Sequence, residues 1–154
     1  MSVEEESAAP ASKFMTKPVI TADVNQTIKS ICKTMYENNI GSVVIVKRQT
    51  DDSSEPVGII TESDIISKIG SVELFSTQTA VSELMSKNII SIKPDSKISD
   101  AIGIMHGNNI RRLLVVDNNG KMLGIITDKD MLKAIARKKP ITSAYIPKEF
   151  DIED

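Results

Sequence analysis

The chain has 154 residues, with 19 Lys and Arg against 21 Asp and Glu and a formal net charge of −2. This near balance predicts no general attraction for nucleic acid or for an anionic membrane. One cysteine and one histidine exclude an intramolecular disulfide and a multi-histidine zinc site, so we expect no metal.

The N-terminal segment is acidic and rich in Ser and Ala, which is typical of a disordered tail over residues 1–11. It contains no apolar run of the kind that a secretory signal needs. No apolar stretch in the chain approaches the roughly 20 residues of a membrane span. The sequence therefore predicts a cytoplasmic protein.

The rest of the chain contains an internal duplication. Three motifs of the first half return in the same order in the second half, 15–17 as 85–87, 38–40 as 108–110 and 58–61 as 124–127. Such self-similarity predicts two units of one fold. We place repeat 1 at residues 12–69, a linker at 70–79, repeat 2 at 80–137 and a C-terminal tail at 138–154.

Each repeat opens with a short lead-in, 14–21 or 84–91, and continues with a helix. Apolar residues with helical spacing mark that helix, namely Ile28, Ile31, Cys32 and Met35 in repeat 1 and Ile98, Ala101, Ile102 and Met105 in repeat 2. We expect these stripes to be core or dimer interface, and Cys32 to be a buried structural thiol.

An apolar run after the helix predicts a buried strand, at 42–46 and again at 113–116. A turn then leads to a second strand, at 57–60 or 122–126. A closing helix begins at Thr61 or Thr127, with inward-facing residues Ile65, Ile66 and Ile69 or Met131, Leu132 and Ile135. The predicted fold is α/β (α+β), two tandem β-α-β-β-α units.

The order of these motifs resembles the CBS domain, and the tandem pair resembles a stand-alone Bateman module. Two in-register copies of Gly-Ile-Ile-Thr-x-x-Asp, at 58–64 and 124–130, carry the resemblance. It implies a pseudo-twofold pair with sheets packed face to face and two clefts between the units. It also implies adenine-nucleotide binding, a homodimer that forms a disk of four units, and regulation rather than catalysis.

Thr61 and Asp64 are candidate ligand contacts, as are Thr127 and Asp130 in repeat 2. A threonine where a strand ends and a helix begins meets free N–H groups and the positive end of the helix dipole, which favour a phosphate. An aspartate three residues later can accept hydrogen bonds from both ribose hydroxyls. The alternative is a capping box, in which these residues only close the helix end.

Arg111 and Arg112 interrupt the repeat, because repeat 1 has Gly41 and Ser42 there. Paired guanidiniums suit phosphate recognition, and the alternative is a solvated basic pair. By the resemblance they serve the site that contains Thr61, Ser63 and Asp64. The second site then combines five residues: Thr127, Lys129, Asp130, Ile40 and Gly41.

The resemblance also implies that the lead-ins hold the base, through Lys17, Pro18 and Val19 at one site and Lys87, Asn88 and Ile89 at the other. Neither 17–19 nor 87–89 has an aromatic residue, so the walls must be aliphatic. Glu62 and Asp128 beside the phosphate position favour a monophosphate over a triphosphate.

Two further features favour structural roles. His106 lies at a helix end without a sequence-adjacent carboxylate or cysteine, which indicates a partly exposed side chain. The basic run at 137–139 follows the last helix, where positive charge is favourable.

The sequence thus predicts a regulatory sensor of AMP or another adenosine derivative, with ADP, ATP and S-adenosylmethionine as further candidates. It would act on a separate, unknown partner by a ligand-induced conformational shift. The alternative is a ligand-free dimeric protein-interaction adaptor. The chain has no nucleophile–base pair, metal-ligand cluster or Walker loop, so we expect no enzyme. The near-neutral charge and the scarcity of aromatic residues argue against a nucleic-acid binder.

Overall fold

The computed structural model describes residues 7–49, 54–71 and 76–136. Repeat 1 contains β1 (Thr21–Asp23), α1 (Ile28–Asn38), β2 (Ser42–Arg48), β3 (Ser54–Thr61) and α2 (Glu62–Ser71). Repeat 2 contains β4 (Ser91–Ile92), α3 (Ile98–Asn108), β5 (Arg112–Val116), β6 (Met122–Thr127) and α4 (Asp128–Ala136). A short 3-10 helix lies at the start of each repeat, at Ala11–Lys13 and at Val81–Glu83.

Each repeat forms its own three-stranded sheet, in the orders β1-β2-β3 and β4-β5-β6. The first two strands of each sheet are parallel, and the last two form an antiparallel hairpin. A parallel pair needs a crossover, and α1 and α3 supply it. The predicted β-α-β-β-α unit, present twice, is confirmed.

The repeated Asn-Asn-Ile motif ends the first helix of each repeat. Asn39 and Asn109 have φ values of 51° and 52° and adopt the left-handed conformation at the helix C-caps. Asparagine tolerates this conformation better than most side chains, so it can stop the helix and turn the chain into the next strand. The left-handed helix C-cap therefore explains why this asparagine occurs in both repeats.

The two sheets pack face to face through four buried side chains, Val44, Val46, Leu114 and Val116. The opposite face of each sheet carries the core of its own repeat, beneath the helices. The apolar runs of β2 and β5 are continuous because side chains are buried on both faces of the strand.

The lead-ins are exchanged between the repeats. Ala11, Phe14 and Met15 pack into the core of repeat 2, whereas Val81, Leu84 and Met85 pack into the core of repeat 1. Thr16 exchanges two backbone hydrogen bonds with Ile125, of 2.8 and 3.0 Å, and Ser86 exchanges two of 2.9 Å with Ile59. Each hairpin thus gains a bridge from the other repeat's lead-in.

The exchanged lead-ins explain the glycine of each Gly-Ile-Ile-Thr motif. A Cβ on Gly124 would lie 2.7 Å from the Met15 Sδ and 3.0 Å from the Thr16 carbonyl oxygen. A Cβ on Gly58 would meet Met85 and the Ser86 carbonyl in the same way. Only glycine lets the backbones approach this closely.

Residues 7–11, which fall within the tail predicted for 1–11, are among the described residues. Ala11 is fully buried, and the Ala9 carbonyl accepts a 3.0 Å hydrogen bond from the Ile98 N–H. The linker predicted at 70–79 also makes defined contacts, because the Thr79 carbonyl accepts from the Ile28 N–H. Residues 1–6 and 137–154, including the basic run 137–139, lie outside the described residues.

Several side chains expected to face inward are exposed. Cys32 is exposed, which makes the prediction of a buried thiol wrong. Ile66, Leu132 and Ile102 are 69%, 63% and 46% exposed. The sheet covers one side of each helix, so only the centre of a wide apolar stripe is buried. His106 is exposed in the last turn of α3, as expected.

Among the helices that the structure describes, none is both long and apolar enough to cross a membrane.

The exchange predicts a large stability difference between two glycine substitutions. Gly58→Ala should lower the free energy of unfolding by about 1–3 kcal/mol, because the added methyl group overlaps the lead-in of repeat 2. Gly103→Ala is the control, since a Cβ there meets nothing within 4 Å and the residue lies within α3. It should raise stability by about 0.5–1 kcal/mol. Urea unfolding measures both, and equal effects would contradict the exchange.

Candidate functional site

Two clefts lie between the repeats. The first, the Asp64 cleft, has a volume of about 370 Å³, and its polar lining includes Thr61, Ser63, Asp64, Ser86, Asn88, Asn109, Arg111 and Arg112. The second, the Asp130 cleft, has a volume of about 400 Å³, and its polar lining includes Thr16, Thr61, Glu62, Ser63, Arg111, Arg112, Thr127, Asp128, Lys129, Asp130 and Lys133. Both volumes suit a small organic ligand.

Residues from three parts of the chain line the Asp64 cleft. Thr61 ends β3, and Ser63 and Asp64 lie in the first turn of α2. Asn88 belongs to the exchanged lead-in of repeat 2, and Arg112 begins β5. The cleft therefore exists only where the two repeats meet.

The threonine and aspartate of each motif form the same hydrogen-bond pattern. In repeat 1, Asp64 Oδ2 accepts from the Thr61 N–H at 2.9 Å and from the Thr61 hydroxyl at 3.0 Å. The Asp64 N–H donates to the Thr61 hydroxyl oxygen at 3.2 Å. Thr127 and Asp130 repeat these distances. The capping box named as the alternative is present in both repeats.

Capping does not consume the whole carboxylate in repeat 1. All hydrogen bonds that Asp64 accepts from the described residues end on Oδ2, which leaves Oδ1 available to a ligand. In repeat 2 the equivalent oxygen, Asp130 Oδ1, already accepts one hydrogen bond, from the Thr16 hydroxyl at 3.2 Å. The two clefts thus differ in the acceptor that they offer.

The arginine pair lies between the clefts. Arg111 is exposed, Arg112 is half-buried, and both line both clefts. A Cβ on Gly41 would lie 3.2 Å from Arg112 Nη2 and 3.3 Å from the Glu62 carboxylate carbon. Glycine at position 41 therefore leaves the space that the Arg112 guanidinium uses.

The walls of the clefts are aliphatic, as expected. Val44 and Ile125 line both clefts, Ile89 lines the Asp64 cleft and Val19 lines the Asp130 cleft. No aromatic residue is among the described residues that line either cleft. A flat base would be held between branched aliphatic side chains.

The structure brings most of the predicted residues together in two groups. The Asp64 cleft contains Thr61, Ser63, Asp64, Asn88, Ile89, Arg111 and Arg112. The Asp130 cleft contains Pro18, Val19, Ile40, Gly41, Thr127, Lys129 and Asp130. The arginine pair, assigned to the Thr61 site alone, lines the Asp130 cleft as well.

Lys17 and Lys87 are exposed and are absent from both linings. Their neighbours line the clefts instead, Thr16 and Pro18 at one and Ser86 and Asn88 at the other. Thr16 and Ser86 lie in the motif that the two repeats share at 15–17 and 85–87, and this repetition is the signal that could have identified them as lining residues.

The sequence did not predict three other lining residues, because only the folding of the chain brings them to the clefts. Asn109 and Ile110 line the Asp64 cleft, and Lys133 lines the Asp130 cleft. Within residues 7–49, 54–71 and 76–136, no group of three His, Cys, Asp or Glu side chains could hold a metal ion.

The fold and its two inter-repeat clefts define an α+β protein built from a tandem repeat. The CBS domain family model matches residues 11–71 and 81–137, and the chain belongs to this family as a tandem pair.

Three related proteins illustrate the similarity. An uncharacterised protein of Methanopyrus kandleri is 38% identical over 76% of this chain, a match that spans 58% of the relative's own length. An uncharacterised 17.7 kDa protein of Acidianus ambivalens is 33% identical, with 83% of this chain and 74% of the relative covered. A CBS domain pair solved in complex with 5′-methylthioadenosine and S-adenosyl-L-methionine has a TM-score of 0.73 and 27% identity, over 86% of this chain and 99% of that one.

The matched capping boxes predict similar structural effects. Asp64→Ala should lower the free energy of unfolding by about 1 kcal/mol, because it removes the side-chain acceptor at a helix start. Asp130→Ala should lower it by about 1–2 kcal/mol, because it also removes the acceptor of the Thr16 hydroxyl. Urea unfolding without ligand measures both values. A loss several times larger for one variant would contradict this prediction, because it would show that the aspartate makes further stabilising interactions.

Proposed function

We propose that this protein is a regulatory module that binds an adenosine derivative bearing a phosphate, such as AMP, in the Asp64 cleft. The observation that carries the proposal is the meeting of Thr61, Ser63 and Asp64 from repeat 1 with Arg111 and Arg112 from repeat 2 in that cleft. One side offers a ribose acceptor, and the other offers charged phosphate donors.

Each part of such a ligand has a counterpart in the cleft. The two guanidiniums favour a phosphate because they present N–H donors and positive charge, and the start of α2 adds the positive end of a helix dipole. The Oδ1 atom of Asp64 can accept from the ribose hydroxyls while Oδ2 keeps the helix cap. Ile89 and Ile125 offer an apolar slot for the base.

The solved CBS pair that binds 5′-methylthioadenosine and S-adenosyl-L-methionine supports the adenosine part of the proposal. Neither of those ligands carries a phosphate. The preference for a phosphate is inferred from this chain's own arginine pair. S-adenosylmethionine, ADP and ATP remain the comparison ligands for the binding test.

Regulation would follow from the position of the cleft between repeats. A ligand that contacts Asp64 on one side and Arg112 on the other stabilises one relative arrangement of the two units. A separate partner protein would then bind one arrangement better than the other. The ligand needs differential affinity for the two arrangements, and contacts to both repeats supply it.

We also infer a homodimer from the outer helix surface of repeat 1. Cys32, Met35, Tyr36, Ile65 and Ile66 line a groove between α1 and α2, and Tyr36 is 89% exposed. Contiguous exposed apolar surface is typical of protein contact sites. The same surface is the observation that favours the second candidate function, a dimeric adaptor that needs no ligand.

The ligand test compares Asp64→Ala with Asp130→Ala, because both variants lose the same kind of helix cap. Asp64→Ala should weaken the first AMP binding event by roughly tenfold to a hundredfold, the effect of losing hydrogen bonds to a charged acceptor. Isothermal titration calorimetry with AMP, ADP, ATP, S-adenosylmethionine and 5′-methylthioadenosine measures the affinities.

Asp130→Ala is the control, since it removes the same helix cap but leaves the Asp64 cleft intact. It should leave the first AMP affinity within about twofold of the wild type. No binding of any of these ligands at millimolar concentration would refute the proposed function and favour the adaptor.

The dimer surface is tested with neighbouring residues of α2. Ile66→Asp should weaken self-association by roughly tenfold or more, because it places a charge in an apolar contact. Ser67→Asp adds the same charge to an exposed position on the same helix and should have little effect. Sedimentation equilibrium measures both, and a monomeric wild type would contradict the proposed dimer.

A further inference from the structure

The two clefts adjoin each other rather than forming separate pockets. They share Val44, Thr61, Ser63, Ile125 and the two arginines among their lining residues. Of the shared polar side chains, Thr61 and Ser63 lie at the start of α2, and the other two are Arg111 and Arg112. Ligands in the two clefts would therefore bring their charged ends towards one common set of donors.

The charged lining shows how much each cleft depends on that common set. Apart from Arg111 and Arg112, the Asp64 cleft has one charged lining residue, Asp64 itself. The Asp130 cleft has two further cations, Lys129 and Lys133, against three carboxylates, Glu62, Asp128 and Asp130. Without the arginine pair, acidic residues outnumber basic residues in both linings, and each cleft would repel an anion.

Repeat 1 has no equivalent basic pair that could serve one of the two clefts. Repeat 1 has Gly41 and Ser42 at the equivalent positions, and Gly41 leaves room for Arg112 to lie against the Asp130 cleft. Arg112 is thus placed to contact residues of either cleft, and Arg111 is exposed beside it.

We propose that Arg111 and Arg112 form one phosphate-binding pair shared by both clefts, so that a phosphorylated ligand in one cleft weakens phosphorylated-ligand binding in the other. This inference rests on the proposed function. The physical cause is twofold: the first phosphate engages the guanidiniums, and a second anion near the same pair is repelled by the first. Added salt should reduce the effect, because it screens exposed charges.

An adenosine derivative without a phosphate would not engage the arginine pair. Its occupancy of one cleft should leave the charge available to a phosphorylated ligand in the other. The protein would therefore distinguish ligands by charge as well as by the base, and AMP and 5′-methylthioadenosine together would be compatible where two AMP molecules compete.

The first experiment is calorimetric titration of the wild-type protein with AMP. The expected result is a second AMP that binds roughly tenfold or more weakly than the first, beyond the statistical factor, or no detectable second AMP. In the latter case, Asp64→Ala should free the pair and reveal AMP binding in the Asp130 cleft. Two AMP molecules of equal intrinsic affinity, or an Asp130 cleft that stays empty in Asp64→Ala, would overturn the proposal.

The second experiment removes the pair with Arg111→Gly and Arg112→Ser, which introduces the repeat 1 residues at these positions. It is made in the Asp64→Ala and in the Asp130→Ala protein, so that each background reports one cleft. AMP affinity should fall roughly tenfold or more in both backgrounds. A fall in only one background would assign the pair to that cleft alone and overturn sharing.

The controls keep this result separate from the proposed function. Circular dichroism and thermal unfolding verify that each variant is folded. Absence of AMP binding in the wild type and in both single aspartate variants refutes the proposed function itself. Binding that survives the arginine replacements unchanged in both backgrounds leaves an adenosine site in place but refutes the role of the pair.

Discussion

The close passage of each lead-in over the other repeat is the constraint on which this structure depends. Gly58 and Gly124 allow the passage, since a methyl group at either position would overlap the crossing segment. Met15 and Met85 then fill the core of the opposite repeat, and Thr16 and Ser86 bridge its hairpin. Because each core contains side chains from both halves of the chain, we expect the repeats to fold as one cooperative unit.

The exchange also builds the clefts. After each lead-in crosses the opposite repeat, its later residues line a cleft: Asn88 and Asp64 line one, and Pro18 and Asp130 line the other. A ligand bound in either cleft would contact both repeats at once, which is the physical condition for a ligand-dependent change in their arrangement.

Duplication produced two equal frameworks and two unequal clefts. The capping boxes of Thr61 and Thr127 agree in every hydrogen-bond distance, which shows that the local framework is the same. The differences lie in what surrounds it: an arginine pair in place of Gly41 and Ser42, and Thr16 bonded to Asp130. A helix cap and a ligand site are compatible here, because a carboxylate has two oxygens and the cap uses one of them.

The sequence by itself determined the repeat, the order of the elements and the pairing of Thr61 with Asp64, because these depend on periodicity and on contacts between near neighbours. Only the tertiary structure decided which edge of a helical stripe is covered, so that Ile31 is buried while Cys32 is exposed. It also decided the exchange of the lead-ins and the position of the arginine pair between the clefts. These features depend on contacts between residues far apart in the chain, and periodicity within one segment carries no information about the surface that the segment meets.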